Sequence, residues 1–153
     1  AAGAGANIAL ACDVVVATAS ASFMQAFSKI GLIPDSGGTF TLPRLIGFQK
    51  ASALMMLADK VTATEAECIG MIYKVFSDDD FDTASFQIAT TLSQLPTKAL
   101  AYTKQALNAS LNNSLQQQLV IEDELQYKAA HTNDFKEGIA AFIAKRAPVF
   151  KGL

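Results

Sequence analysis

The sequence predicts an α/β chain, with a small mixed portion over residues 1–76 followed by a helical portion over residues 77–153. Three observations carry this. The β-branched run Asp13-Val14-Val15-Val16-Ala17-Thr18 reads as a buried strand. Helical patterns flank it, Asn7–Ala11 before and Phe48–Leu57 after. From Asp82 onward the pattern is almost all helix, interrupted by Pro96, by Asn112-Asn113-Ser114 and by Asn133-Asp134. The composition agrees: 153 residues, 51% hydrophobic and 17% charged, is enough for a real core and unlike a disordered chain. A net charge of −2 leaves no electrostatic footprint for nucleic acid. The apolar start is broken at Cys12-Asp13, well short of a membrane span.

In chain order, Gly3-Ala4-Gly5-Ala6 is a small-residue turn that lets another backbone or a ligand come close. The strand at Asp13–Thr18 is followed by a turn at Ala19-Ser20 and a short strand at Ser22–Gln25. Thr39–Ile46 reads as helix with Pro43 inside it or between two short helices, and Ser36 or Thr39 is its candidate cap. Lys60–Ala63 breaks the helix over Phe48–Leu57. Thr62 or Thr64 then caps a short helix over Glu65–Ile69 that ends at Gly70, and Tyr73–Phe76 is a strand. The acids Asp78-Asp79-Asp80 suit the start of the next helix, where the dipole favours negative charge, and their spacing is wrong for a calcium loop. Helices are predicted over Phe81–Leu95, Pro96–Leu111, Leu115–Ala130 and Phe135–Lys145, the last capped by Asn133-Asp134.

The stretch with the most chemistry is Ile30-Gly31-Leu32-Ile33-Pro34-Asp35-Ser36-Gly37-Gly38-Thr39. Pro34 biases Ile33 toward extended geometry, and Gly37-Gly38 permits a tight turn. Asp35 therefore lies between an apolar entry and a helix start. Partial desolvation there would raise a carboxyl pKa toward the range of acid–base work. A solvated turn acid is the bland alternative. At the N-terminus, exposed N–H groups at a helix start are able to hold an anion or a developing oxyanion. Gly3 and Gly5 lack the third glycine of a dinucleotide fingerprint. Cys12 and Cys68 have no metal-ligand spacing, and two distant cysteines point to a reduced, cytoplasmic setting. His131, the sole histidine, reads as a surface or helix-capping residue, and no metal is expected.

At this point the residues resemble those of a family. Gly3-Ala4-Gly5-Ala6-Asn7 with Ala11-Cys12-Asp13 resembles the second oxyanion turn, helix and strand of the crotonase (enoyl-CoA hydratase/isomerase) superfamily. Phe23, Gly31-Leu32-Ile33-Pro34 and Gly37-Gly38-Thr39 match the next block. Thr62–Ala66 with Gly70-Met71-Ile72, and Asn133–Gly138 with Ala141-Phe142, Lys145-Arg146 and Pro148, match two further blocks in the same order. The resemblance implies the C-terminal part of a crotonase-like spiral fold followed by a helical trimerisation region. It also implies that the chain, which starts in mid-motif, is part of a longer protein and is inactive alone.

The family's two hydratase glutamates fall on Asn7 and Phe27, neither of which serves as acid or base. Asp35 stands where hydratases commonly have glycine, which resembles the isomerase branch. The resemblance implies an acyl-CoA isomerase, with ring-1,2-epoxyphenylacetyl-CoA converted to oxepin-CoA in phenylacetate breakdown as the leading activity. Asp35 would be the proton shuttle, and the Ala4 N–H, in its turn with Gly5, half of the oxyanion hole. Asn7 and Phe27 would lie along the substrate. Phe142 and Lys145, of this or a neighbouring subunit, are implied contacts to coenzyme A, which enters as part of the substrate and not as a cofactor. A homotrimer or dimer of trimers is implied. The alternatives are a fatty-acyl Δ3,Δ2-enoyl-CoA isomerase or hydratase, and a non-catalytic oligomerisation module.

Overall fold

The computed structural model describes all residues, Ala1–Leu153. They form two compact units, Ala1–Ser85 and Phe86–Leu153. The first holds α1 (Ala4–Leu10), β1 (Val16–Thr18), β2 (Ser22–Met24), a 3-10 turn (Ala26–Ile30), α2 (Gly38–Ile46), α3 (Phe48–Leu57), β3 (Lys60–Thr62), α4 (Ala63–Cys68) and β4 (Lys74–Phe76). Helix α5 (Phe81–Gln94) carries the division between the units, and α6 (Thr97–Ser110), α7 (Leu115–Ala130) and α8 (Asn133–Ile143) follow. No helix is long and apolar enough to cross a membrane.

Two small sheets organise the first unit. Strands β1 and β4 run parallel, Val16 opposite Lys74 and Thr18 opposite Phe76. Strands β2 and β3 run antiparallel, Ser22 opposite Thr62 and Met24 opposite Lys60. A parallel bridge from Ala2 to Met24 ties the N-terminal residues to β2. The predicted strand at Asp13–Thr18 keeps only its last three residues. Its partner β4 is that short, and Val14 is left exposed. The segment expected only to break a helix, Lys60–Ala63, supplies β3 instead, because burying Val61 opposite Phe23 outweighs its weak local pattern. The core gathers Ala6, Leu10, Leu42, Ala51, Ala63 and Ala66 around these strands. Its small side chains let α1 pack closely on α2, and α4 on β2, β3 and β4.

Helix caps differ from expectation at two places. Neither Ser36 nor Thr39 caps α2. Gly37, at φ 76°, takes that position, and the Ser36 hydroxyl donates to the Asp35 carboxylate instead. Helix α8 is capped by Thr132, whose hydroxyl accepts the Phe135 N–H at 3.1 Å, rather than by Asn133-Asp134. Asp134 is buried, and its two oxygens accept the Lys151 and Gly152 N–H groups at 2.8 Å each. Thr62 caps α4, and Ser114 with Gln117 forms a reciprocal capping box at α7.

The second unit ends in a tail folded back on α8. Arg146 grips Glu137 with both guanidinium arms, at 2.6 and 2.8 Å, and the Val149 N–H donates to the same carboxylate at 2.9 Å. The Arg146 hydrogen bond first, and the Val149 N–H second, hold the Glu137 carboxyl down to about 2 from an ordinary 4.5. His131 closes α7, its Nδ1 2.7 Å from the Tyr127 carbonyl.

Candidate active site

Glycine chemistry at the N-terminus sets the first part of the site. Gly3 adopts φ 55°, a conformation that other residues reach only with strain. Its N–H donates to the Met24 carbonyl at 2.9 Å, and its carbonyl accepts the Ala6 and Asn7 N–H groups at 3.0 and 3.1 Å. The chain thus turns sharply from the edge of β2 into α1. The Ala4 and Gly5 N–H groups, at the helix start, have no acceptor within the chain. Phe27 is buried, and its ring packs beside Gly3. Two of the sequence-predicted site residues, Phe27 and the Ala4-Gly5 turn, are therefore neighbours.

The second part is the loop from Gly31 to Gly37. The 3-10 turn ends at Gly31, φ 73°, and the Leu32 N–H returns to the Phe27 carbonyl at 3.0 Å. Leu32 and Ile33 stand exposed. With Pro34 they form one wall of an apolar groove of 420 Å³, and Phe48, Met55 and Met56 of α3 are on the other wall. Asp35 follows directly after that wall. Its side chain is exposed, so this chain alone does not supply the desolvation expected from the sequence. The carboxylate has one partner, the Ser36 hydroxyl at 3.0 Å.

Asn7 joins the two parts. It is 1% exposed, and its Nδ2 donates to the Asp35 carbonyl at 2.9 Å. Its Oδ1 accepts from Gln25 Nε2 at 2.7 Å. The structure thus brings Asn7 and Asp35 together through the Asp35 backbone, with the Asn7 amide committed to protein partners below the loop. Gln25 was not singled out in the sequence, since a lone polar residue after a short strand carries no spacing signal. Phe142 is 84% exposed, and Lys145, at φ 50°, follows the end of α8; both belong to the second unit.

Comparison with known proteins fits this geometry. The enoyl-CoA hydratase/isomerase family profile matches residues 1–153. A probable enoyl-CoA hydratase of Rhodobacter capsulatus is 47% identical over 152 residues, 99% of this chain and 59% of that protein. The 1,2-epoxyphenylacetyl-CoA isomerase of Escherichia coli K12 is 45% identical over 152 residues, 99% of this chain and 58% of that protein. Among solved structures, an enoyl-CoA hydratase from Polaromonas sp. JS666 superposes with a TM-score of 0.94 at 38% identity, covering 99% of this chain and 59% of that one. The chain thus spans 58–59% of the length of these relatives. Matched from end to end by one profile, and superposing on structures of that kind, the chain belongs to the enoyl-CoA hydratase/isomerase family, the crotonase superfamily.

Proposed function

We propose that this chain is the C-terminal part of an acyl-CoA isomerase that converts ring-1,2-epoxyphenylacetyl-CoA to oxepin-CoA, with Asp35 as its single proton carrier. The observation that carries the reading is the Asn7 bond to the Asp35 carbonyl, which fixes the acid's backbone against the helix whose first N–H groups are free. The Ala4 N–H, in its turn with Gly5, is one backbone donor preorganised for the negative charge that develops on a thioester oxygen, and the second comes from the longer parent. Asn7 and Phe27 carry no ionisable group, which leaves Asp35 to move the proton assisting ring opening. The Escherichia coli relative's name, and the apolar Phe27 ring beside the turn, support an aromatic acyl group. Coenzyme A enters as part of the substrate, and Phe142 and Lys145, of this or a neighbouring subunit, are its proposed contacts. A longer parent supplies the rest of the site and assembles as a homotrimer or dimer of trimers.

A second reading has one observation in its favour: the Rhodobacter relative is named a probable enoyl-CoA hydratase. A substrate panel separates the two. The purified full-length parent is assayed with ring-1,2-epoxyphenylacetyl-CoA, a 3-enoyl-CoA and a 2-enoyl-CoA. The proposal expects kcat/KM for the epoxide to exceed the others by about 10-fold or more. Faster hydration of the 2-enoyl-CoA would establish the second reading. No turnover of any substrate would leave a non-catalytic assembly module.

A further inference from the structure

The geometry assigns Asn7 and Gln25 as positioning residues that hold the Asp35 peptide, an inference that rests on Asp35 being the proton carrier. The Asp35 carbonyl accepts two hydrogen bonds, from the Gly38 N–H at 2.8 Å and from Asn7 Nδ2 at 2.9 Å. Both of its lone-pair sites are thereby used. A carbonyl only accepts, so Asn7 must present its NH2 group there, and its Oδ1 is left for Gln25 Nε2 at 2.7 Å. The amide orientation is therefore dictated by chemistry along the line from Gln25 through Asn7 to Asp35.

Two features show that this arrangement constrains the fold around it. Gly38 has no room for a side chain: a Cβ there would lie 2.3 Å from Asn7 Nδ2. Gln25, 2% exposed, leaves its Oε1 without a partner, although buried unpaired acceptors are destabilising. The residue sits there with only its donor half engaged, and that half holds Asn7. The clamped group is the peptide between Asp35 and Ser36. Ser36 sits at φ 49°, a strained value for a residue with a side chain. Rotation of this peptide would relax Ser36 and release the Asp35 carbonyl from both of its donors, freeing the turn that sets where the acid stands. Asn7 opposes that rotation from below, while the Ser36 hydroxyl holds Asp35 Oδ1 at 3.0 Å from the side.

The test is a double-mutant cycle in the full-length parent, with kcat and KM measured separately and thermal unfolding followed for each variant. Asn7→Asp replaces the donor by an acceptor facing the Asp35 carbonyl oxygen, at nearly the same size. We expect kcat to fall about 10-fold or more with KM changed less than about twofold, because a misdirected base weakens the transition state more than binding. In an Asp35→Asn background, the same change is expected to cost less than about twofold further, since the effect runs through Asp35. Gln25→Met is the milder second variant. It is expected to lower kcat a few-fold, with the same coupling to Asp35→Asn, and it carries the test alone if Asn7→Asp does not fold. Unchanged kcat in the folded variants, or a loss repeated in full in the Asp35→Asn background, overturns the inference. Unchanged turnover in Asp35→Asn alone removes the underlying reading instead, so the two failures are told apart.

Discussion

Asp35 is fixed at its carbonyl by Asn7 and Gly38, and at its carboxylate by Ser36. The tightest point of this arrangement is Gly38. Gly38→Ala places a methyl 2.3 Å from Asn7 Nδ2, and the neighbouring amide must shift. We expect a loss of about 1–3 kcal/mol, read from the midpoint of urea unfolding. Asp35 was legible in the sequence because an acid between Pro34 and Gly37-Gly38 is a local pattern. Its anchor was not: Asn7 lies 28 residues away, and nothing in its neighbourhood announces a bond to that carbonyl. Gln25 was hidden for the same reason. The expected desolvation of Asp35 came from the apolar run before it, but Leu32 and Ile33 turn outward and do not cover the acid.

At the scale of elements, caps and charge clamps decide where helices end. Ser114→Ala removes the Ser114–Gln117 capping box and is expected to cost about 1 kcal/mol, seen as a lower thermal midpoint. The C-terminal tail depends on pH through Glu137. Its carboxyl sits at about 2 when folded against 4.5 ordinarily, so its stabilisation is complete above pH 4.5 and is lost as pH falls toward 2. Protection of the Val149 amide, its exchange rate relative to the unfolded chain at the same pH, is expected to be constant above pH 4.5 and to fall progressively as pH drops toward 2. Glu137→Gln should lower that protection and make it independent of pH across the window. Helices with strong periodicity or proline and glycine punctuation were legible, α3 and α7 with the same bounds as predicted. Strand β3 was not, because its three residues are fixed by pairing with β2 and not by their own pattern. The cap of α8 was misplaced by one or two residues because Asp134, a good cap by type, is taken by the tail.

At the scale of the whole molecule, the resemblance carried in four ordered blocks pointed to the family that the profile and the solved structures establish. Substrate choice was not legible in the same way, since it depends on walls around the acyl group rather than on any motif. The chain covers 58% of the Escherichia coli relative's length. We expect the 153-residue chain alone to show no turnover of ring-1,2-epoxyphenylacetyl-CoA under conditions where the full-length parent does. The central claim, that one carboxylate carries the proton, is tested most directly by kcat of the full-length Asp35→Asn parent on that substrate. A folded variant slowed by about 10²-fold or more is the predicted result, and a folded variant that turns over at the parent's rate would contradict it.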